Sequence, residues 1–398
     1  MKLATRMGKL PPSPTLAMNS KANELREQGV DVISFAAGEP DFDTPDHIKE
    51  GAIRALRDGQ TKYTAVSGIL PLRKAICEWV AEHKGVSYSP DEVVVTVGGK
   101  QSVFNAIHVL LEEGDEIVTP EPIWVAYAPV AVLAGAKVVP VEASEENGFK
   151  MTREQLAEAI TPRTKLVVIN SPCNPSGCVY TPAEIEGIAE EVLASPQAMV
   201  LSDEIYGKLL YDGGEHLSIA SLSPEMKART LLLDGFSKTY AMTGWRMGYT
   251  CAPREIVKAM DTLQSQSTSN ATTFAQYGGI TALTGPHDFI QDWLAEYDRR
   301  RQAIYEGMNS IDGISAILPK GAFYAFPRIS DLFGRQGPNG ELKNSVDVGL
   351  YFLEQAQCAA VPGIGFGDDR FIRFSYATSL ENVKEGIERV RAAVSQLG

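Results

Sequence analysis

A lysine follows an apolar segment in the stretch GFSKTYAMTGWRMGY, residues 235–249. Lys238 lies between Ser237 and Thr239, and Arg246 comes eight residues later. The free amine of a lysine attacks carbonyl carbons, and desolvation or a neighbouring cation lowers the lysine pKa enough to supply that free amine. The spacing therefore marks Lys238 as a candidate nucleophile with a cation close by, although a lysine in a polar surface loop would look the same.

Three other apolar segments are also followed by polar or small residues. These residues are Gly98, Gly99 and Lys100 after the first segment, Asn170 and Asn174 after the second, and Asp203, Glu204 and Tyr206 after the third. Ligands of an open α/β sheet bind beyond the carboxyl ends of its strands. We therefore expect these residues to meet Lys238 in one crevice.

Each of these features has a plainer explanation when it is taken alone. The Gly98-Gly99 pair before a helix fits a phosphate site and a tight turn equally well. Asp203 is more simply a helix cap, and residues 174–177 are typical turn residues. Arg246 and Arg373 could be ordinary surface charges. Neither a G-x-G-x-x-G pattern nor a P-loop is present, which disfavours a dinucleotide or ATP site.

The combination is more specific than its members. A lysine, a carboxylate on another strand and a phosphate-binding turn are what pyridoxal phosphate needs, because its aldehyde, its ring nitrogen and its phosphate each require a partner. The carboxylate keeps the ring nitrogen protonated, which makes the ring an electron sink. This hypothesis assigns the lysine to Lys238 and the carboxylate to Asp203.

The elements that must position these residues alternate between apolar and amphipathic segments. This pattern predicts an α/β fold with a mostly parallel sheet and helices on both faces, over a large domain at 46–300. Residues 1–45 and 301–398 predict a smaller α+β domain, with a long charged helix at about 286–310 leading into it. The candidate strands of the sheet are 92–97, 115–119, 136–142, 164–169, 198–202, 230–234 and 246–250.

Composition excludes several classes of protein. The 398 residues carry a net charge of −13, which argues against a nucleic-acid partner. The basic run 299–301 is expected to be a solvated helix face. No segment predicts a signal peptide or a membrane span, so we expect a cytoplasmic protein. The five cysteines and five histidines are scattered, which indicates neither disulfides nor a metal site.

The stretch SKTYAMTGWRMGY resembles the cofactor attachment site of the class I pyridoxal-phosphate-dependent aminotransferases. The resemblance is greatest to the bacterial aspartate aminotransferases with a lysine after the Gly-Gly turn. It implies fold type I of the pyridoxal-phosphate-dependent transferases, with a seven-stranded sheet. The other matching motifs, in the family's order, are GEPDFDTP (38–45), TKYTAVSG (61–68), VGGKQ (97–101), NSPCNPSG (170–177), SDEIY (202–206) and RFSYA (373–377).

The resemblance implies roles around the cofactor. Lys238 matches the lysine that binds the cofactor covalently and later moves a proton between substrate and cofactor. Asp203 matches the partner of the pyridine nitrogen. Tyr206 and Asn174 match the partners of the phenolic oxygen, and Trp124 matches the tryptophan that stacks on the ring. The remaining cofactor-binding positions are Gly99, Lys100, Ser237 and Arg246, joined by Tyr63 from the neighbouring subunit of a homodimer.

The resemblance also implies how substrate is held. Arg373 matches the arginine that grips the α-carboxylate through its planar fork, and Gly38 matches a glycine whose backbone contacts the same group. Trp124 and Asn174 line the substrate site as well. Lys100 stands where the subgroup that uses aspartate places a cation for the distal carboxylate, which predicts a dicarboxylic amino acid as substrate and 2-oxoglutarate as acceptor.

Three positions depart from the pattern of the family. Cys173 replaces the usual Asn or Ser, and Ile123 replaces a frequent Tyr, and we expect both changes to tune the site. Pro11 stands where relatives that also use prephenate have a basic residue, and the nearest basic residues here are Lys9 and Arg6. Prephenate activity is therefore not predicted.

The sequence predicts an aspartate aminotransferase that converts L-aspartate and 2-oxoglutarate to oxaloacetate and L-glutamate in ping-pong half-reactions. Two alternatives stay open. One is an aminotransferase of different or broader specificity, for prephenate, aromatic or neutral amino acids, because a shared fold does not fix the substrate. The other, more remote, is a non-catalytic regulatory protein with this fold.

Overall fold

The structure is a computed structural model, and it describes residues 3–10 and 14–398; Pro11 lies outside the described residues. The α-helices of the described chain are α1 (Pro14–Glu27), α2 (Asp46–Arg57), α3 (Leu70–Lys84), α4 (Gly99–Leu110), α5 (Tyr127–Ala134), α6 (Arg153–Ala159), α7 (Pro182–Ala194), α8 (Pro224–Lys227), α9 (Arg254–Ser265), α10 (Thr273–Thr284), α11 (Phe289–Asn309), α12 (Ser345–Gln355) and α13 (Leu380–Val394). The strands are β1 (Ile33–Ser34), β2 (Val93–Thr96), β3 (Glu116–Glu121), β4 (Lys137–Glu142), β5 (Thr164–Asn170), β6 (Met199–Asp203), β7 (Thr230–Gly235), β8 (Gly248–Cys251), β9 (Tyr324–Ala325), β10 (Gln336–Gly337), β11 (Gly340–Glu341), β12 (Cys358–Ala359), β13 (Val361–Pro362) and β14 (Ile372–Ser375).

A seven-stranded sheet forms the centre of the fold. Its strand order is β2-β8-β7-β6-β5-β3-β4, and only β8 runs antiparallel to its neighbours. The seven strands are the seven predicted segments, with ends that differ by one or two residues. The predicted α/β architecture is therefore confirmed.

Helices cover both faces of this sheet because its strands are apolar on both sides. In β2, Val93 and Val95 pack into the same hydrophobic cluster as Trp79 of α3, while Val94 packs with Val103 of α4 on the opposite face. All three valines are fully buried. This explains why the strand sequences show no alternation of polar and apolar residues.

Smaller sheets lie near the two ends of the chain. β9, β13 and β14 form a three-stranded antiparallel sheet, and β1 pairs with β12 in parallel. The cluster that buries Phe35, Phe323 and Phe374 also contains residues of α11, α12 and α13. The segment before residue 46 thus packs with the segment after residue 300, while the division into two domains at these residues stays a prediction.

The expectation of a solvated basic run at 299–301 is wrong for two of its residues. Arg301 is 0% exposed and Arg300 is 5% exposed. Arg301 binds the distant Asp212 as well as Asp298, three residues before it, and Arg300 binds the distant Asp41. These carboxylates compensate the buried charges. Among the helices of the described chain, none has the length and apolar character that a membrane span requires.

Candidate active site

The carboxyl ends of the central strands open into a cavity of about 440 Å³. Among the residues that line it are all but one of the predicted site residues: Gly38, Gly99, Lys100, Trp124, Asn174, Asp203, Tyr206, Ser237, Lys238, Arg246 and Arg373. They come from the ends of β2, β3, β5, β6 and β7, from the start of β8, and from the loop after β1 and strand β14. The predicted convergence therefore occurs.

Lys238 follows β7 and is partly buried at the centre of this set. Its Nζ donates a hydrogen bond to the Gly38 carbonyl oxygen. Burial, together with the charges of Arg373 and Arg246, lowers the Lys238 pKa to about 8, although the carboxylates of Glu39 and Asp203 act in the opposite direction. Two nearby guanidinium groups thus help to supply the neutral amine that attack on a carbonyl requires.

Asp203 is the last residue of β6, and it is only 4% exposed. Burial raises the pKa of this carboxyl to about 6, and the hydrogen bond from the Tyr127 hydroxyl to Oδ2, at 2.5 Å, opposes that increase. Oδ1 accepts the backbone N–H of Ile205, but the residues after β6 form turns and no helix. Asp203 is therefore not a helix cap, and its carboxylate is placed to accept a proton-bearing group in the cavity.

Arg373 of β14 is 3% exposed, and its side chain is held from two sides. Nη1 donates to Asn174 Oδ1 at 3.0 Å, and Nη2 donates to the Ala36 carbonyl oxygen at 2.7 Å. Its Nε has no partner, and no carboxylate of the described residues lies within 4.0 Å of the guanidinium. A buried guanidinium without a counter-ion is energetically costly, so an anion that binds it is strongly favoured.

The turn before α4 supplies a second group of anion-binding features. Gly98 has a φ of 77°, α4 begins at Gly99, and no side chain caps the free N–H groups of that helix end. A Cβ at Gly98 would lie 2.6 Å from Nη2 of Arg246. Uncapped backbone N–H groups, a helix N-terminus and a guanidinium at this distance match the donors that bind phosphate.

Lys100 and Trp124 form a third part of the cavity. Lys100 Nζ lies 5.3 Å from the centre of the Trp124 ring. Partial desolvation lowers the Lys100 pKa, and the charge of Arg246 lowers it further. The Lys100 ammonium therefore lies close enough to Arg246 to feel its charge. The Arg373 guanidinium is a separate cation, which Asn174 and Ala36 hold in place.

The charges of the lining residues favour anionic ligands. The cationic side chains are Lys100, Lys238, Arg246 and Arg373, and the carboxylates are Glu39 and Asp203. A cavity in which cations outnumber carboxylates attracts negatively charged molecules, and its low-dielectric walls strengthen that attraction.

Tyr63 is the predicted site residue that does not line this cavity. It is 91% exposed and lies in a separate surface pocket with Thr268, Asn270 and Thr273. The role of Tyr63 toward another subunit stays a prediction.

Sequence reasoning missed several residues of the site. Glu39 lines the cavity and accepts a hydrogen bond from Thr243, and Tyr324 lines it with its hydroxyl 2.8 Å from that of Tyr206. Glu39 directly follows Gly38 in the motif GEPDFDTP, so its position beside a predicted site residue could have indicated that it lines the cavity. The hydrogen bond between Tyr127 and Asp203 spans 76 residues, and no sequence spacing indicates it.

The donor set fits a phosphorylated aldehyde cofactor with a basic ring nitrogen. In such a complex Lys238 would supply the amine, Asp203 would accept a hydrogen bond from the ring nitrogen, and the uncapped start of α4 with Arg246 would bind the phosphate. The buried Arg373 guanidinium then still lacks a counter-ion, and a substrate carboxylate would supply one. The fold and this site together define a pyridoxal-phosphate-dependent enzyme.

Comparison with known proteins gives the family. The model of the family "Aminotransferase class I and II" matches residues 30–390. The chain belongs to this family, whose aspartate aminotransferases use pyridoxal 5′-phosphate.

Three similar proteins cover nearly the whole chain. An aspartate aminotransferase of Geobacillus stearothermophilus is 46% identical over 390 residues, 98% of each chain. An aspartate/prephenate aminotransferase of Nitrosomonas europaea is 41% identical over 397 residues, 99% of this chain and 100% of that protein. The crystal structure of the aspartate aminotransferase from Rhizobium meliloti superposes with a TM-score of 0.96, at 41% identity and full coverage of both chains.

Proposed function

We propose that this aminotransferase transfers the amino group of L-aspartate to 2-oxoglutarate and releases oxaloacetate and L-glutamate. The observation that carries the proposal is the charge of the cavity, where a buried arginine and a separate lysine stand beside the phosphate-binding features. When the cofactor phosphate binds Arg246, the cations of Arg373 and Lys100 remain available to bind two carboxylates. The names of the relatives support the same substrate.

Lys238 performs the proton transfer in this proposal. Bound pyridoxal phosphate would supply an electron sink for the bond broken at the substrate α-carbon. The Lys238 amine, with its pKa lowered to about 8, would take the proton from that carbon and give it to the cofactor carbon that bears the aldehyde. Asp203 stays ionised against the cofactor ring nitrogen, and the Tyr127 hydroxyl stabilises the ionised form.

Arg373 orients the substrate. Its hydrogen bonds to Asn174 and Ala36 fix the plane of the guanidinium before substrate arrives. An α-carboxylate that binds this fixed fork is held in one orientation, which places the α-carbon relative to Lys238 at little entropic cost.

Lys100 selects the second carboxylate. Its ammonium lies over the Trp124 ring and faces no carboxylate of the described residues within 4.0 Å. A Lys100→Met variant is expected to lose at least about tenfold in kcat/KM for aspartate, because a hydrogen bond to a charged group contributes about 1.5–3 kcal/mol, while alanine is affected little. Unchanged preference for aspartate over alanine would overturn the choice of substrate.

The reaction itself is tested at Lys238. We expect Lys238→Ala to bind the cofactor without covalent attachment and to lose at least about a thousandfold in the aspartate half-reaction, followed by cofactor absorbance. Lys384→Ala, at an exposed position of α13, is the matched control and should keep full activity. Near-normal turnover by the Lys238 variant would refute the mechanism.

Prephenate is the second candidate substrate. The Nitrosomonas europaea relative, named for aspartate and prephenate, favours it. Pro11 lies outside the described residues, so the expectation against this activity rests on the sequence. A panel of amino donors with 2-oxoglutarate, together with prephenate as acceptor and glutamate as donor, distinguishes the two specificities.

We further propose a cytoplasmic homodimer in which Tyr63 of the partner subunit completes the phosphate site. The support is the 91% exposure of Tyr63 and its distance from its own cavity in the structure. The five cysteines carry free thiols, which suits a reducing compartment. A mixture of Tyr63→Phe and Arg246→Ala protomers should regain activity through hybrid dimers with one intact site. A mixture no more active than its parents contradicts the shared site.

A further inference from the structure

A second cavity, larger than the active site, lies behind β6 and β7. Its volume is about 680 Å³, and none of its lining residues lines the active site. It is formed by the carboxyl end of α3, the loop at residues 207–216, the ends of β7 and β8, and one face of α11. Nothing in the proposed reaction uses this space.

A buried ion cluster separates the two cavities. Lys84 Nζ lies 2.9 Å from Glu204 Oε2 and 2.9 Å from Asp234 Oδ2, and His216 Nε2 lies 2.8 Å from the same Glu204 oxygen. Glu204 directly follows Asp203, and Asp234 lies four residues before Lys238. The floor of the second cavity thus belongs to the strands that carry the active-site residues.

Lys208 is the feature that points to a ligand. It is partly buried in the wall of the second cavity, with its Nζ 5.2 Å from the centre of the Trp79 ring. Within the described part of the chain no carboxylate lies within 4.0 Å of Lys208, and the lining carboxylate of Asp234 is paired with Lys84. Desolvation and the nearby Lys84 charge lower the Lys208 pKa, and the carboxylates of Asp234 and Glu82 offset this lowering only in part.

The rest of the lining restricts what the ligand can be. Leu283, Leu294 and the rings of Tyr240 and Tyr249 give the cavity an apolar side. Three of its four acidic residues are already paired, Asp234 with Lys84 and both Asp212 and Asp298 with Arg301. The charge of Glu215, which has no ion pair among the described residues, disfavours a second carboxylate on the ligand. The cavity therefore suits a single carboxylate on an apolar body better than a dicarboxylate or a phosphate ester.

We propose that this second cavity binds a small monocarboxylate with an apolar body, with Lys208 as the counter-ion of the carboxylate. Such a ligand is chemically distinct from the dicarboxylates assigned to the active site.

Calorimetric titration of the cofactor-loaded enzyme tests the site. The probes are hexanoate, cyclohexanecarboxylate and 3-phenylpropionate, each in the presence of saturating maleate to occupy the dicarboxylate site. We expect at least one probe to bind, its uncharged amide to fail, and Lys208→Met to weaken binding by about tenfold or more. Lys384→Met, an exposed lysine of α13, is the matched control and should bind as the natural chain does.

A second variant tests the apolar side without removing a charge. Ala295→Trp, at an exposed position of α11 that lines the cavity, should block binding by filling the space. Failure of all three probes to bind at up to about 1 mM overturns the proposal, as does binding that both variants leave unchanged. The dependence on Lys208 is measured without turnover, so it distinguishes failure here from failure of the proposed reaction.

Discussion

Replacing Lys84 by methionine tests the physical basis of the core beside the active site. Lys84 is the shared partner of Glu204 and Asp234, and the side chains of these three residues are 5%, 1% and 10% exposed. Methionine keeps most of the volume and removes the charge, so two buried carboxylates lose their common cation. Breaking a buried pair in this way costs about 3–5 kcal/mol of the free energy of unfolding.

A matched surface pair gives the control. Lys21 binds Glu354 at 3.2 Å, but these side chains are 43% and 29% exposed. Lys21→Met should therefore cost less than about 1 kcal/mol, because exposed ion pairs contribute little. Both variants are measured by urea unfolding followed by circular dichroism, at a single protein concentration because the stability of a dimer depends on it.

The pH dependence of Lys84→Met supplies an independent measurement. Burial alone would raise the Glu204 pKa, but Lys84 and His216 hold it well below its ordinary value of 4.5. A depressed carboxyl pKa contributes stability above 4.5 that is lost as the pH falls, so the natural chain should lose stability below this pH more steeply than Lys84→Met.

Two outcomes would refute the reasoning about Lys84. One is a decrease in the free energy of unfolding for Lys84→Met that is no greater than the decrease for Lys21→Met. The other is a double variant, Lys84→Met with Asp234→Asn, that is less stable than Lys84→Met alone, since removing one unpaired carboxylate should restore part of the stability.

Three other substitutions have expected outcomes. In the cofactor-free protein, the burial that raises the Asp203 pKa from 3.8 to about 6 should make the natural chain lose about 3 kcal/mol relative to Asp203→Asn as the pH rises through that interval, measured by urea unfolding. Equal slopes for the two proteins would contradict this. Arg373→Lys should raise KM for aspartate by about tenfold or more because the bidentate fork is lost, which steady-state kinetics checks. Gly98→Ala should weaken cofactor affinity by about tenfold, because its Cβ would meet Arg246 and its φ is positive; an unchanged dissociation constant in an absorbance titration would count against the phosphate site.

The central sheet could be predicted from the sequence because each strand is a continuous apolar segment. Its residues are buried on both faces, so the pattern depends little on tertiary detail. The polar residues at the strand ends were predictable for the same reason, since parallel topology places carboxyl ends together. Their individual roles came from the resemblance to a family, and Asp203 alone would have been read as a helix cap.

The remaining features depend on contacts between distant residues. Lys84 and Glu204 are 120 residues apart, and Arg301 and Asp212 are 89 residues apart. A charged residue is read as exposed unless its partner is known, which explains why the burial of Arg300 and Arg301 was missed. The second cavity is likewise formed by segments that share no motif.

The antiparallel direction of β8 has a consequence for engineering the site. Lys238 follows β7 and Arg246 precedes β8, and these two strands pair directly, with Gly235 opposite Gly248. Lys238 and Arg246, the proposed nucleophile and the proposed phosphate-binding residue, therefore lie on one loop whose two ends are joined by strand pairing. An insertion between Lys238 and Arg246 would therefore change the spacing of the amine and the guanidinium, because the ends of the loop cannot shift without breaking the pairing of β7 and β8.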